Sequence, residues 1–304
     1  MRNRFLSATS PYLYLLPAVA VILVFQLLPM FYALYLSFFR WDLINVAGPQ
    51  FMGLRNYINL LLDPSFLLSL LNTAIFSTGS IVIGLGLSLL VAVLLSRGIR
   101  GLGIFRTSYF IPYVASMAAV AIVWKWIFHP AGLLNISLRP LFEFISSRFS
   151  VELGPIQWLR DQYWARVAVV MFVVWKTMGF NILIFLTRLL DIDQSYYEAA
   201  EIDGAGTWAK FRFVTWPLLM PTTVFLLTVS IIFSLQMFVP VYILTPDGGP
   251  LNATNTTVFY LYQSAFNNFL FGYASSMAYI LFLIILGITL VQRALLRKQV
   301  AYED

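Results

Sequence analysis

The chain has 304 residues, of which 60% are hydrophobic and 11% charged, with a net charge of +6 and no cysteine. A soluble domain carries about twice that charge, so the bilayer is the intended solvent, and the dispersal of the basic residues through short loops argues for topology control over a nucleic-acid patch. The missing thiols exclude disulfides, thiolate catalysis and thiolate metal sites, and a single histidine, His129, speaks against a dedicated transition-metal site.

Crossing ~30 Å of hydrocarbon at 1.5 Å per residue needs roughly 20 mostly apolar residues. Six segments meet that requirement: about 12–39, 70–96, 106–128, 165–190, 217–244 and 274–292. In lipid the backbone must satisfy its own hydrogen bonds, and Ile81 to Leu95 lacks the alternation of barrel strands, so an all-α polytopic protein is predicted. The first segment follows Arg2 and Arg4, yet its apolar run far exceeds the ~7–15 residues of a signal-peptide core, so it is a retained span. In the second, Gly84 and Gly86 are expected to admit a neighbouring helix closely. The third ends near Lys125, whose position suits snorkelling to the interface. His129 to Trp164 is too long for a simple turn and is expected to hold short helices. No second domain is visible, so residues 1–304 read as a single transmembrane domain with a loop at 191–216.

Lysine and arginine counts orient the chain. With both termini in the cytoplasm, the inner segments hold eleven of these residues and the outer ones six, and the loop near 97–106 has three arginines and no acid. Trp41, Trp124, Trp126, Trp158 and Trp164 then fall near the outer interface, where indoles prefer to lie.

The spans contain no Asp, Glu or His, which argues against a proton-coupled carrier and fits a path for neutral or weakly charged solutes. Lys176 is the exception, roughly 16 Å below an outer boundary near Ala165. We read it as facing the translocation path, with a structural ion pair or carbonyl contact as the alternative. Asn72, Asn181 and Gln236 are candidates for hydrogen bonds to solute hydroxyls, and Trp175 and Tyr242 for stacking surfaces. Each could instead cement helix–helix contacts.

Between spans four and five the chain turns polar. Ser195-Tyr196-Tyr197-Glu198 fits a capping box with Ser195 as N-cap, Ala199 and Ala200 extend the helix, and Gly204 offers an exit. A second short helix is expected from Gly206 or Thr207 to a break at Pro217. A polar helical pair between spans faces water or a partner protein.

The string from Glu198 to Pro221 resembles the EAA loop of ABC-importer permeases, matching at Glu198, Ala199, Ala200, Asp203, Gly204, Ala205, Phe211, Pro217 and Pro221. Trp216 stands where leucine is usual. Further segments resemble the carbohydrate-uptake branch: Tyr14 to Pro17, Ser37 to Asp42, Asn56-Tyr57, Asn72-Thr73, Trp124 to Phe128, Gly132 to Asn135, Gly248-Gly249-Pro250 and Gly272-Tyr273-Ala274.

The resemblance implies the six-helix type I importer permease fold, in a prokaryotic inner membrane. It implies pairing with a second homologous permease, usually as a heterodimer, and docking on an ABC ATPase dimer. An extracytoplasmic solute-binding protein would deliver the solute. Glu198 and Glu201 would present charge, while Ala199, Ala200, Gly204 and Ala205 would allow close approach of the ATPase, with Asp203 in the same coupling segment. The chain has no GK dipeptide and hence no Walker A loop, so ATP and Mg would sit on the partner and this chain would be no enzyme. The favoured activity is import of a di- or oligosaccharide, glycoside or polyol. Glycerol phosphate or another small solute is the nearest rival and a stand-alone secondary carrier the more distant one. A membrane-embedded enzyme would need an acid pair, metal cluster or nucleophile–base set that is not visible.

Overall fold

A computed structural model describes residues 14–41, 48–97, 101–149 and 154–300, without the side chains of Leu102, Arg106 and 297–300. Arg2, Arg4, Asp42 and Arg100, used above, lie outside these residues. The chain divides into two compact units, one formed by 1–64 and 261–282, the other by 65–260 and 283–304.

The first unit is built around α1, Tyr14–Ser37, a long apolar helix. Its turn at Leu23–Leu27 is a π-helix in which the Leu28 N–H reaches back to the Leu23 carbonyl. The widened turn precedes Pro29, which has no N–H to give, so the helix continues where a regular one would break. After α1 the two-residue strands β1, Phe39–Arg40, and β2, Gln50–Phe51, pair antiparallel, and α2 spans Arg55–Leu62. Asn56 Nδ2 donates to the Ser37 and Phe39 carbonyls at 2.8 and 3.0 Å, and Ser37 Oγ lies 2.7 Å from Tyr57 Oη. Tyr273 Oη donates to Asp63 at 2.8 Å. A Cβ at Gly272 would collide with the Phe39 carbonyl. The Ser37–Trp41, Asn56-Tyr57 and Gly272-Tyr273 segments thus meet as one hydrogen-bonded corner.

The second unit contains most of α3, Pro64–Leu95, then α4, Leu102–Val114, α5, Met117–Ile127, and α6, Leu133–Phe149. Next come α7, Gln162–Asp191, α8, Gln194–Ile202, and α9, Thr207–Leu235. The helices α10, Val239–Leu244, α11, Thr257–Tyr262, and α12, Phe271–Val300, complete the chain. The centre is α7, with 56% of its most apolar window buried. Towards its start Ala168, Val169, Phe172 and Val173 pack with Phe76, Phe128, Trp158, Val241 and Phe259. Towards its end Ile182, Phe185, Leu186 and Leu189 pack with Ala92, Leu219 and Leu226. A Cβ at Gly179 would overlap the Tyr109 carbonyl, so this glycine sets the approach of α7 to α4. Gly84 makes only an ordinary contact with Val174, and Gly86 faces open space. The tight approach falls at a glycine that spacing did not single out.

Among the described residues five helices are long and apolar enough to span a bilayer, and a sixth span results if a bent pair is one crossing. Two expectations need correction. The third span is not continuous: α4 and α5 meet at about 100° around Ala115 and Ser116. Pro112 and the extended Ala115 and Ser116 backbone interrupt the helical ladder there. The fifth span starts earlier than 217 and ends at Leu235, with α10 separated from it by Gln236 to Phe238. Pro217 causes no break, because a π turn at Phe211–Thr215 lets the Trp216 N–H bond the Phe211 carbonyl. The segment between His129 and Trp164 does hold a helix, α6.

Candidate functional site

The polar loop is a helix and corner of defined geometry. Asp193, not Ser195, is the N-cap of α8: its Oδ1 accepts from the Ser195 N–H at 2.8 Å. The aspartate lies two residues earlier in an extended conformation, which places its carboxylate under the free N–H groups. Glu198 therefore falls in the middle of the helix rather than in a capping box. At the other end the Gly204 N–H bonds the Glu201 carbonyl and the Ala205 N–H the Ala200 carbonyl, both at 2.9 Å. These are the two bonds of a Schellman motif, and Gly204, with φ +80°, supplies its left-handed residue. A Cβ on Gly204 would meet nothing within 4 Å, so the backbone angle and not space demands glycine.

Two contacts hold α8 against the start of α9. Glu201 Oε2 pairs with Lys210 Nζ at 2.8 Å, and Tyr197 Oη lies 3.0 Å from Thr215 Oγ1. Glu201 is thereby committed to an internal clamp, while Glu198 is exposed and, among the described residues, makes no ion pair. Ala199, Asp203 and Gly204 are exposed, with Ala200 and Ala205 half-buried. The sequence reading missed the apolar members of this surface. Ile202 is 87% exposed, Trp208 73% and Phe213 75%, beside Tyr196. Their signal was present as large apolar residues in and beside a polar segment.

The Lys210 hydrogen bond and charge hold the Glu201 carboxyl below the usual carboxylate range, and the Ser195 amide does the same for Asp193. A lowered acid contributes order above its ordinary pKa and loses that contribution as pH falls through the lowered value. Amide protection across Ala199 to Ala205, corrected for intrinsic exchange, is expected to fall from about pH 4 downward. A Glu201→Gln variant should start lower and lose only the part due to Asp193; identical profiles would show that the clamp does not order the corner.

The membrane candidates sit in separate settings. Lys176 is buried and donates to the carbonyls of Pro112, Tyr113 and Ala115 at 2.6, 2.7 and 2.6 Å. This is the carbonyl contact named above as its alternative: the ammonium's three hydrogens go to carbonyls that the α4–α5 break leaves without N–H partners. Asn72 is likewise engaged, donating to the Asn252 and Asn255 carbonyls at 2.9 and 3.1 Å and accepting from Arg166 at 3.2 Å. It pins a loop in which Asp247, Leu251 and Asn252 hold positive φ. Gln236 is exposed at the α9–α10 break, and Asn181 is buried in α7. Trp175 packs on Trp124 with ring centroids 5.1 Å apart, and Tyr242, 46% exposed, stacks on Phe238 at 5.2 Å.

Over residues 81–300 the chain matches the family described as binding-protein-dependent transport system inner membrane component. It is 35% identical to the lactose transport system permease protein LacF of Rhizobium radiobacter, over 92% of each chain. It is 34% identical to the sn-glycerol-3-phosphate transport system permease protein UgpA of Agrobacterium fabrum, over 96% of each chain. Against the probable ABC transporter permease protein YesP of Bacillus subtilis it is also 34% identical, over 92% of this chain and 88% of the other. A chain in the crystal structure of a bacterial alginate ABC transporter, in complex with its alginate pentasaccharide-bound periplasmic protein, superposes with a TM-score of 0.81 at 20% identity, covering 97% of this chain and 96% of that one. The fold is that of a type I importer permease, and the chain belongs to the family of inner membrane components of binding-protein-dependent transport systems.

Proposed function

We propose that this chain forms half of the translocation pathway of an ATP-driven importer for a sugar, glycoside or polyol, coupled to an ABC ATPase through α8 and its Gly204 corner. The observation that carries the reading is the preformed corner itself, a capped helix clamped at Glu201–Lys210 that leaves Glu198, Ile202 and Trp208 exposed. Such a rigid element transmits ATPase closure to the spans it continues into, since α9 runs without a break from Thr207 into the membrane. ATP and Mg belong to the partner ATPase. A second permease completes the pathway and an external binding protein delivers the solute, with both termini of this chain in the cytoplasm.

Relatives named for lactose and for sn-glycerol-3-phosphate stand at nearly equal identity, so glycerol phosphate is the second reading. The engagement of Lys176 with three carbonyls favours the neutral solute, because it withdraws the one deep cation from a phosphate. Within the pathway we assign solute contact to Gln236 and Tyr242, with Trp175 as further lining, while the buried Asn181 serves α7 packing. The test is ATP-dependent uptake into proteoliposomes by the full complex with its binding protein, using lactose, a longer oligosaccharide and glycerol 3-phosphate. Gln236→Ala and Tyr242→Ala should each lower uptake several-fold while the ATPase still co-purifies, consistent with about 1 kcal/mol per lost contact. Unchanged uptake would remove both residues from the pathway. Uptake without ATP by the chain alone would replace the importer by a secondary carrier.

A further inference from the structure

Beyond the coupling corner, the second unit holds a cleft of about 520 Å³ lined by the end of α5, the segment before α7 and the turn after α10. Its polar wall comprises Lys125, His129, Gln157, Arg160 and Thr245, with Trp158 at the back, and among the described residues no carboxylate lines it. Among the described residues neither Lys125 nor Arg160 has an ion-pair partner, and both are exposed. The adjacent Asp161 is engaged as the N-cap of α7, its Oδ1 accepting from the Tyr163 and Trp164 amides at 2.9 and 3.1 Å. His129 Nδ1 accepts from the Ala131 N–H at 3.2 Å, which leaves Nε2 as the donating nitrogen of the neutral ring. Among its described lining residues the cleft thus offers two cations and neutral donors and no carboxylate, the nearest one in the lining turn being the exposed Asp247.

The aromatic setting says where that charge sits. Trp126 adjoins Lys125 and is 74% exposed, and Trp158 packs edge-on against Trp164 with centroids 5.0 Å apart. Tryptophans clustered at the ends of spans mark the depth of the lipid headgroups. On the orientation proposed above, this is the outer interface, the side on which lysine and arginine are depleted. Cations kept there without carboxylate partners need counter-ions from elsewhere, and basic clefts at helix ends take them from anionic headgroups.

We propose that this cleft binds a phosphate group, presented by an anionic phospholipid of the outer leaflet. Lys125 and Arg160 supply the charge, His129 and Gln157 donate to the phosphate and headgroup oxygens, and the exposed tryptophan at 126 flanks the acyl region. The proposal uses the orientation given under the importer reading but no property of the ATPase contact, so the two fail separately.

The test is native mass spectrometry of the purified transporter complex, released from nanodiscs of equal parts phosphatidylglycerol and phosphatidylcholine. The complex should retain phosphatidylglycerol in preference to phosphatidylcholine. Lys125→Gln with Arg160→Gln should reduce that preference roughly thirtyfold, about fivefold for each charge near the surface. Both side chains are exposed, so the double variant should assemble normally, with co-purification of the partner subunits as the control. Equal retention by wild type and variant would overturn the proposal. If the variant instead lost affinity for the binding protein at unchanged lipid retention, the cleft would belong to a protein contact and the lipid assignment would fall. Displacement of the retained lipid by inorganic phosphate would keep the phosphate site and overturn the lipid as its source. Loss of the partner subunits in the wild type would count against the importer reading alone.

Discussion

Replacing Gly204 by valine is expected to lower ATP-driven uptake sharply while leaving the chain inserted and folded. The residue sits at φ +80°, where a β-branched side chain is strained by roughly 1–2 kcal/mol or more. Nothing surrounds the added side chain, so the strain acts through the backbone alone. The corner relieves it by giving up the two Schellman bonds from Gly204 and Ala205, which moves Ile202, Asp203 and the Glu201–Lys210 clamp together. A corner disfavoured by that amount weakens docking by about 5–30-fold, because the partner must restore the geometry on binding. Gly204→Asn is the internal control, since asparagine tolerates the left-handed conformation. It should retain most of the uptake that valine loses. Charge reversal in Glu198→Lys tests the same surface through chemistry rather than geometry, and should reduce ATPase co-purification without affecting helix protection. If valine and lysine variants both bound the ATPase and transported as wild type, α8 would not be the coupling element.

Lys176→Met is expected to fail at an earlier stage, in assembly. The substitution keeps an unbranched apolar stem but removes the ammonium, leaving the Pro112, Tyr113 and Ala115 carbonyls without their donor. Hydrogen bonds to a charged group are worth about 1.5–3 kcal/mol, and removing a buried donor adds the desolvation of its acceptors. Three bonds sharing one ammonium do not add in full, so an overall loss on the order of 3–5 kcal/mol is the scale to expect. The measurement is the detergent melting temperature and the monodisperse yield, read alongside uptake. Both should drop sharply, with Lys176→Arg intermediate because its planar fork cannot reach three carbonyls in the same way. A methionine variant that assembles and melts like wild type but transports poorly would return Lys176 to the solute path.

The two variants separate what local sequence encodes from what it does not. Gly204 was legible because its meaning is local: a glycine after a helical run ends that helix, whatever surrounds it. Lys176 was not, because a midplane lysine has one appearance in the sequence and two destinations. Only the bend between α4 and α5, produced by Pro112 and the extended residues after it, decides which carbonyls await its ammonium. Asn72 shows the same limit: its partners at 252 and 255 lie about 180 residues away. Gly179 was overlooked for the same reason, since what makes it necessary is the Tyr109 carbonyl on another helix.

What the sequence determined by itself was the solvent, the order of the apolar segments and the place of the polar corner between the fourth and fifth. Those follow from hydrophobicity summed over windows and from short-range hydrogen bonding, both readable along one strand of text. The tertiary structure alone decided where helices bend, which polar side chains serve the fold and which stay exposed. Proline shows why. Pro217 has the same local chemistry whether a helix breaks or continues, and the π turn at Phe211–Thr215, beside the Tyr197–Thr215 contact, is what carries α9 through it. In a bilayer each backbone group needs a partner inside the protein, so the choice among partners is made by packing between helices distant in sequence.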